Sequence, residues 1–220
     1  MGVSNRKTDL RAHNNCLQNQ IAILWEIIQQ NEIVYEVLSQ APSLGLPNSY
    51  VGAGCITQTV WNALCGIPLM NNIKDIDLVY FDATDLSEES ERAIQMSVNE
   101  KFRGTPIRID VKNEARVHLW YEQEFGYAIR PYESCEDAIN TWPTSATSIG
   151  LTMNSGQDVY APFGLNDLFG LVVRANKAQI TEEIFLTKVR RWQQHWPELS
   201  IVPWNDTPTG NLDARTSGKT

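Results

Sequence analysis

Ile73-Lys74-Asp75-Ile76-Asp77-Leu78-Val79-Tyr80-Phe81 is the stretch whose reading decides how this chain folds. Leu78, Val79, Tyr80 and Phe81 are large, β-branched or aromatic, so the run reads as a buried strand beginning near Ile73. Side chains alternate faces along a strand, which puts Asp75 and Asp77 on the same face. Two carboxylates so placed repel each other, and an apolar strand solvates them poorly. Hard divalent cations such as Mg²⁺ relieve that repulsion, because they take oxygen ligands and bridge carboxylates to phosphates. The pair therefore reads as half of a metal site.

Working outward, Tyr50-Val51-Gly52-Ala53-Gly54-Cys55 supplies an apolar approach and two glycines about twenty residues upstream. Ile56 to Gly66 follows, with apolar residues at 56, 60, 61 and 64 and a glycine stop, the pattern of a short amphipathic helix. Glycines admit a phosphate close to backbone N–H groups, and a helix start adds its dipole. Gly52, Ala53 and Gly54 are thus candidate nucleotide-binding residues. Downstream, Pro106-Ile107-Arg108-Ile109-Asp110-Val111 predicts a second apolar strand carrying one acid, Asp110. Lys112 and Arg116 follow closely, either to meet phosphates or to pair with Glu114 or Glu122. A strand, glycine turn and helix, then Asp-x-Asp, then a lone carboxylate form an ordered set suited to a nucleoside triphosphate.

That set resembles the nucleotidyltransferase superfamily that includes DNA polymerase β and the head domain of CCA-adding enzymes. A closer likeness is to a family of stand-alone nucleotidyltransferase-like proteins from bacteria and fungi. Gly52 to Gly66, Asn72 to Asp82 and Val111 to Tyr121 carry the resemblance, as do Thr141 to Ile149 and Tyr160 to Phe169, so that it spans residues 17–204. It implies an α+β fold: a small mixed sheet bearing the acids, flanked by helices, with a helical C-terminal portion. It also implies two Mg²⁺ ions held by Asp75, Asp77 and Asp110, with Asp110 assisting deprotonation of an acceptor hydroxyl. The activity implied is transfer of a nucleoside monophosphate from an NTP to an unidentified hydroxyl acceptor. One departure bears on this: Ile56-Thr57-Gln58-Thr59-Val60-Trp61 stands where such proteins commonly have Ile-Arg-Asn-Thr-Val-Trp. The arginine lacking at Thr57 favours, as the alternative, a catalytically silent nucleotide-binding or regulatory protein.

Bulk composition narrows the class further. A chain of 220 residues with 42% hydrophobic and 20% charged residues suits one globular domain with a sizeable core. The net charge of −8 disfavours a broad nucleic-acid surface, and with it an RNA-tailing enzyme. Cys16, Cys55, Cys65 and Cys135 lack the short paired spacing of a zinc module and read as buried reduced thiols. With no apolar segment of membrane-spanning length and no signal-like stretch, a cytoplasmic protein without membrane partners is expected.

Residues 1–13 read as a flexible arm, 14–204 as the nucleotidyltransferase-like domain and 205–220 as a disordered tail. Within the domain, two amphipathic helices broken near Asn31 are expected over 14–40, and further helices over 87–101, 164–170 and 182–195. Asn154-Ser155-Gly156 predicts a hairpin between strands at 145–153 and 157–161. His118 reads as a packing or hydrogen-bonding residue, and Trp61, Trp120 and Trp142 as core, one of them available to stack on a base.

Overall fold

The computed structural model describes residues 12–207. The expected arm and tail lie outside the described residues except at their inner ends, where Ala12 and Thr207 are buried. Two helices open the fold, α1 (Leu17–Gln30) and α2 (Glu32–Gln40), and they break at Asn31 as the sequence predicts. Asn31 causes the break by capping: its Oδ1 accepts from the Val34 N–H. Its Nδ2 donates to Thr59 Oγ1 at 2.9 Å, which ties the break to the helix that follows the glycine turn.

The chain then runs β1 (Tyr50–Gly52), α3 (Gly54–Cys65), β2 (Asp75–Tyr80), α4 (Glu88–Lys101) and β3 (Arg108–Asn113). Ser87 caps α4 by accepting from the Ser90 N–H, and three glutamates in its first turn suit the helix dipole. Beyond these lie α5 (Val117–Phe125), α6 (Cys135–Ile139), β4 (Gly150–Thr152), β5 (Asp158–Tyr160) and α7 (Asn166–Phe169). The short strand β6 (Val172–Val173), then α8 (Glu182–Gln193) and β7 (Ser200–Ile201) complete the order. The main sheet has strand order β3-β2-β1-β4-β5, and β6 and β7 form a separate two-stranded sheet. Only β2 and β3 are parallel within the main sheet, and α4 is the crossover such a pair requires. The α+β class and the mixed sheet flanked by helices are therefore present.

Alternation along β2 sorts the two sides of the sheet. Ile76, Leu78 and Tyr80 enter the main core with Val51, Ile109, Val111 and Leu151, against apolar faces of α1, α2, α3, α4 and α8. The other side carries Asp75 and Asp77 at one end, and Val79 under α6, Trp142 and Tyr160 at the other. Helix α8 and the segment after it meet α3 through aromatic edges: the Trp61 ring lies 5.6 Å from Trp192 of α8 and 5.4 Å from Trp196 just beyond it. Trp61 is core, as expected, whereas Trp120 and Trp142 are only partly buried.

Some expectations shift. β3 runs over 108–113 rather than 106–111, because the Asn113 Oδ1 accepts from the Ala115 N–H and ends the strand two residues later. Strand β4 covers only part of the expected 145–153, since Thr144 to Ser148 coil into hydroxyl-bonded turns. Cys55 and Cys135 are buried free thiols, but Cys16 is exposed and Cys65 partly so. Among the described residues no helix is long and apolar enough to cross a membrane.

Candidate active site

Register brings the acids together. Parallel pairing sets Asp77 opposite Asp110 and Asp75 opposite Arg108. Antiparallel pairing sets Gly52 opposite Asp77. Directly opposed residues share a face, so Asp75, Asp77 and Asp110 stand on one side of the sheet with Gly52 beside them. Nothing in the sequence spacing of 75, 77 and 110 fixes this; the parallel ladder does.

Gly52 has no room for a side chain. A Cβ there would come within 2.5 Å of the Ile149 carbonyl oxygen and 2.9 Å of the Trp142 ring. Gly54 is less constrained, since its Cβ would meet only the flexible Gln58 Nε2 at 3.0 Å. The unusual backbone lies between them, at Ala53, with φ 55° and ψ −126°. A non-glycine residue there stores on the order of 1–3 kcal/mol of strain. Ala53 is held from both sides: its N–H donates to the Ile149 oxygen at 2.9 Å and its own oxygen accepts from the Thr57 N–H at 3.2 Å. That last bond is the first of α3, so the N–H groups of Gly54, Cys55 and Ile56 precede the intrahelical ladder. Cys55 ties the turn to the acids: its thiol donates to the Gly52 oxygen at 3.2 Å, and burial beside Asp77 holds it protonated.

Charge in the cleft is only partly balanced. Burial pushes the Asp77 carboxyl up to about 6, and Asp75 and Asp110 add to the shift, while Lys188 and Lys112 oppose it. Arg108 pairs with Asp110 and reaches Asp75 at 3.8 Å, so its guanidinium spans the two outer carboxylates. As they stand, no three His, Cys, Asp or Glu side chains among the described residues converge to hold one ion. The donor chemistry nonetheless suits a hard divalent cation, because three carboxylates share one face and the central one is raised by its neighbours. Closing them on an ion requires Arg108 to swing away.

The other expected residues divide. Lys112 is exposed on β3, near enough to Asp77 and Glu114 to favour their ionised forms. Arg116 pairs with neither Glu114 nor Glu122. It is buried, with Nη1 on Glu91 Oε1 at 2.7 Å and Nε on the Leu86 oxygen at 2.8 Å, clamping α4 to the end of β3. Thr57 is fully buried, its hydroxyl donating to the Ala146 oxygen at 2.8 Å. His118 Nδ1 is buried with no hydrogen-bond partner.

Three site neighbours escape sequence reading. Arg108 was hidden because only register sets it opposite Asp75. Lys188 lies on α8, far away in sequence, and only packing brings it to Asp77. Glu114 lies just past the end of β3, in a one-turn helix capped by Asn113, where strand alternation no longer applies. Its carboxyl is buried and pushed up to about 8 by burial first and then by Asp77 and Glu91.

Comparisons with known proteins bear on the family and the fold. A family model described as nucleotidyltransferase matches residues 39–201. Among solved structures, the chain is similar to an NMR structure of a protein said to reveal a CCA-adding enzyme head domain. The TM-score is 0.67 at 24% identity, covering 82% of this chain and 95% of that one. No curated protein matches the chain.

Proposed function

Because the chain belongs to the nucleotidyltransferase family, we propose that it transfers a nucleoside monophosphate from an NTP to a hydroxyl acceptor, in a metal-dependent reaction. The observation that carries this reading is the row Gly52, Asp77, Asp110 across three adjacent strands, with Asp75 alongside and the strained Ala53 turn opening α3 next to it. In this reading Asp75, Asp77 and Asp110 hold Mg²⁺, which when bound supplies neutralisation of phosphate charge and a lowered pKa for the acceptor hydroxyl. The Gly54, Cys55 and Ile56 N–H groups orient the phosphates at the start of α3. Gly52 keeps that approach open by leaving the Trp142 ring its place. Lys112 adds positive charge at the rim. Arg116 is committed to Glu91 and takes no part. In this reading Asp110, once released by Arg108, takes the acceptor proton.

A second reading, a nucleotide-binding protein without turnover, is favoured by Arg108, which occupies Asp75 and Asp110 as a built-in cation. The fold likeness to a CCA-adding head domain leaves RNA as one acceptor to test, against a net charge of −8. The test is thermal shift with each NTP, with and without Mg²⁺, followed by transfer of label from NTP onto cellular metabolites and RNA. Labelled product supports transfer; Mg²⁺-dependent NTP binding without product in any extract supports the second reading. No shift with any NTP overturns both.

A further inference from the structure

The crossover between β2 and β3 returns to the sheet at the end where the acids stand. Helix α4 ends at Lys101, and β3 begins at Arg108, which the parallel ladder sets opposite Asp75. A pocket of about 250 Å³ opens here, at the edge of the sheet, since β3 is its outermost strand. Its floor is apolar, made by the buried Phe102 and Ile109 with Ile107 beside them. Its rim is polar, with Arg103, Thr105 and Arg108. Two guanidinium groups and no carboxylate line it.

Further along the strand the edge is closed. Gln95 Nε2 donates to the Ile109 oxygen and its Oε1 accepts from the Val111 N–H, both at 2.8 Å, while Glu91 Oε2 accepts from the Asn113 N–H at 2.7 Å. Side chains of α4 thus occupy the backbone groups that another strand would need. The pocket lies where this cover stops, so it suits a small molecule rather than an added strand.

Arg108 belongs both to the pocket and to the acid row, for it contacts Asp110 and reaches Asp75 at 3.8 Å. Its side chain is 67% exposed, so the guanidinium can turn toward the pocket without leaving water. Arg103 pairs with Glu100 on the last turn of α4, an exposed contact of little energy that an incoming anion can replace. The row Gly52, Asp77, Asp110 runs outward to this edge. With the triphosphate held at the start of α3, an in-line displacement needs its attacking oxygen on the opposite side, which is the side of β3.

We propose that this pocket is the acceptor subsite and that it takes a small hydroxylated compound bearing an oxyanion, phosphate or carboxylate. Arg103 and Arg108 meet the anion, and the hydroxyl lies toward Asp110. The proposal rests on the nucleotidyltransferase reading and names the substrate class of that site. The acceptor oxygen bonds to the α-phosphorus as the bond to pyrophosphate breaks, and the hydroxyl proton passes to Asp110. Arg108, drawn to the anion, leaves Asp110 free to receive it. Planar guanidinium forks suit both oxyanions. A volume below the roughly 300–1,000 Å³ of ordinary ligand pockets fits a compact metabolite. The net charge of −8 likewise disfavours a nucleic-acid strand.

Calorimetry on the full chain in EDTA tests this with glycerol 3-phosphate, glycerate and glycerol as probes. At least one of the two anions should bind and glycerol should not, and the tighter anion names the group. Arg103→Gln and Arg108→Gln should each weaken that binding about tenfold or more, and Arg108→Lys should recover only part of the loss. Both arginines are exposed, so the variants should keep native unfolding midpoints, and lost binding then reads the pocket rather than the fold. With Mg²⁺ and saturating NTP the anion should still bind. No anion binding by the native chain, native affinity in both glutamine variants, or competition between anion and NTP each overturns the proposal while the parent reading stands. Absence of NTP binding with Mg²⁺ removes the parent reading and the acceptor role with it, even where the anion binds.

Discussion

Replacing Asp77 by Asn removes the central charge of the acid row while keeping its shape. Asp77 titrates near 6 instead of 3.8, chiefly through burial and then through Asp75 and Asp110. A rise of roughly two pKa units corresponds to ~3 kcal/mol. Solvent screening at the open end of the site reduces this, leaving about 1–2 kcal/mol as the working magnitude. Because the folded pKa is the higher one, the fold binds the extra proton between about pH 4 and 6, and native stability falls as pH rises through that window. Above it the penalty is fully present. In EDTA at pH 7, Asp77→Asn should therefore be more stable than the native chain by about 1–2 kcal/mol, a rise in Tm of about 2–8 °C. The gain should shrink toward nothing by about pH 4. Urea unfolding across pH 4 to 7.5 measures this, and calorimetry with Mg²⁺ and NTP on the same samples should show binding abolished or severely weakened. A variant that is less stable at pH 7 yet binds Mg²⁺ and NTP normally would show that Asp77 is a structural acid.

Glu114→Gln should also stabilise, by up to about 3 kcal/mol at pH 7. The raised pKa of about 8 makes native stability decline from about pH 4.5 to 8, and the glutamine variant should flatten that slope in urea midpoints. An unchanged slope would remove Glu114 as its source. Ala53→Gly should relieve the positive-φ strain and, after the entropy cost of glycine, raise stability by about 0.5–2 kcal/mol in denaturant melts; a loss would mean the turn relaxes without penalty. Thr57→Arg should destabilise by more than about 3 kcal/mol, because it buries a guanidinium where the hydroxyl meets Ala146. A normal melting temperature with tighter NTP binding would show that position 57 can turn toward the site.

Local chemistry made much of this molecule legible in advance. Alternation between apolar and acidic residues in β2 follows from the two-residue period of a strand; Asn31 and Ser87 announce helix starts through side-chain capping, and Gly52 marks a place with no room for a side chain. Short elements such as α6, β6 and β7 carry too few residues for any period to show, and they form only because the surrounding core holds them. Arg116 looked like a phosphate ligand because a sequence displays charge, not burial; packing against α4 spent that charge on Glu91.

By itself, then, the sequence determined a carboxylate pair on one strand face, a glycine turn opening a helix and a third acid on a later strand, the α+β class coming from the resemblance those segments carry. Those are properties of neighbours along the chain, where spacing equals geometry. The tertiary structure alone decided that Asp77 faces Asp110, that Arg108 spans Asp75 and Asp110, and that Lys188 arrives from α8. The physical reason is that strand register and helix docking are settled by the whole buried interface, here the ladder of β2 on β3 and the tryptophans joining α3 to α8.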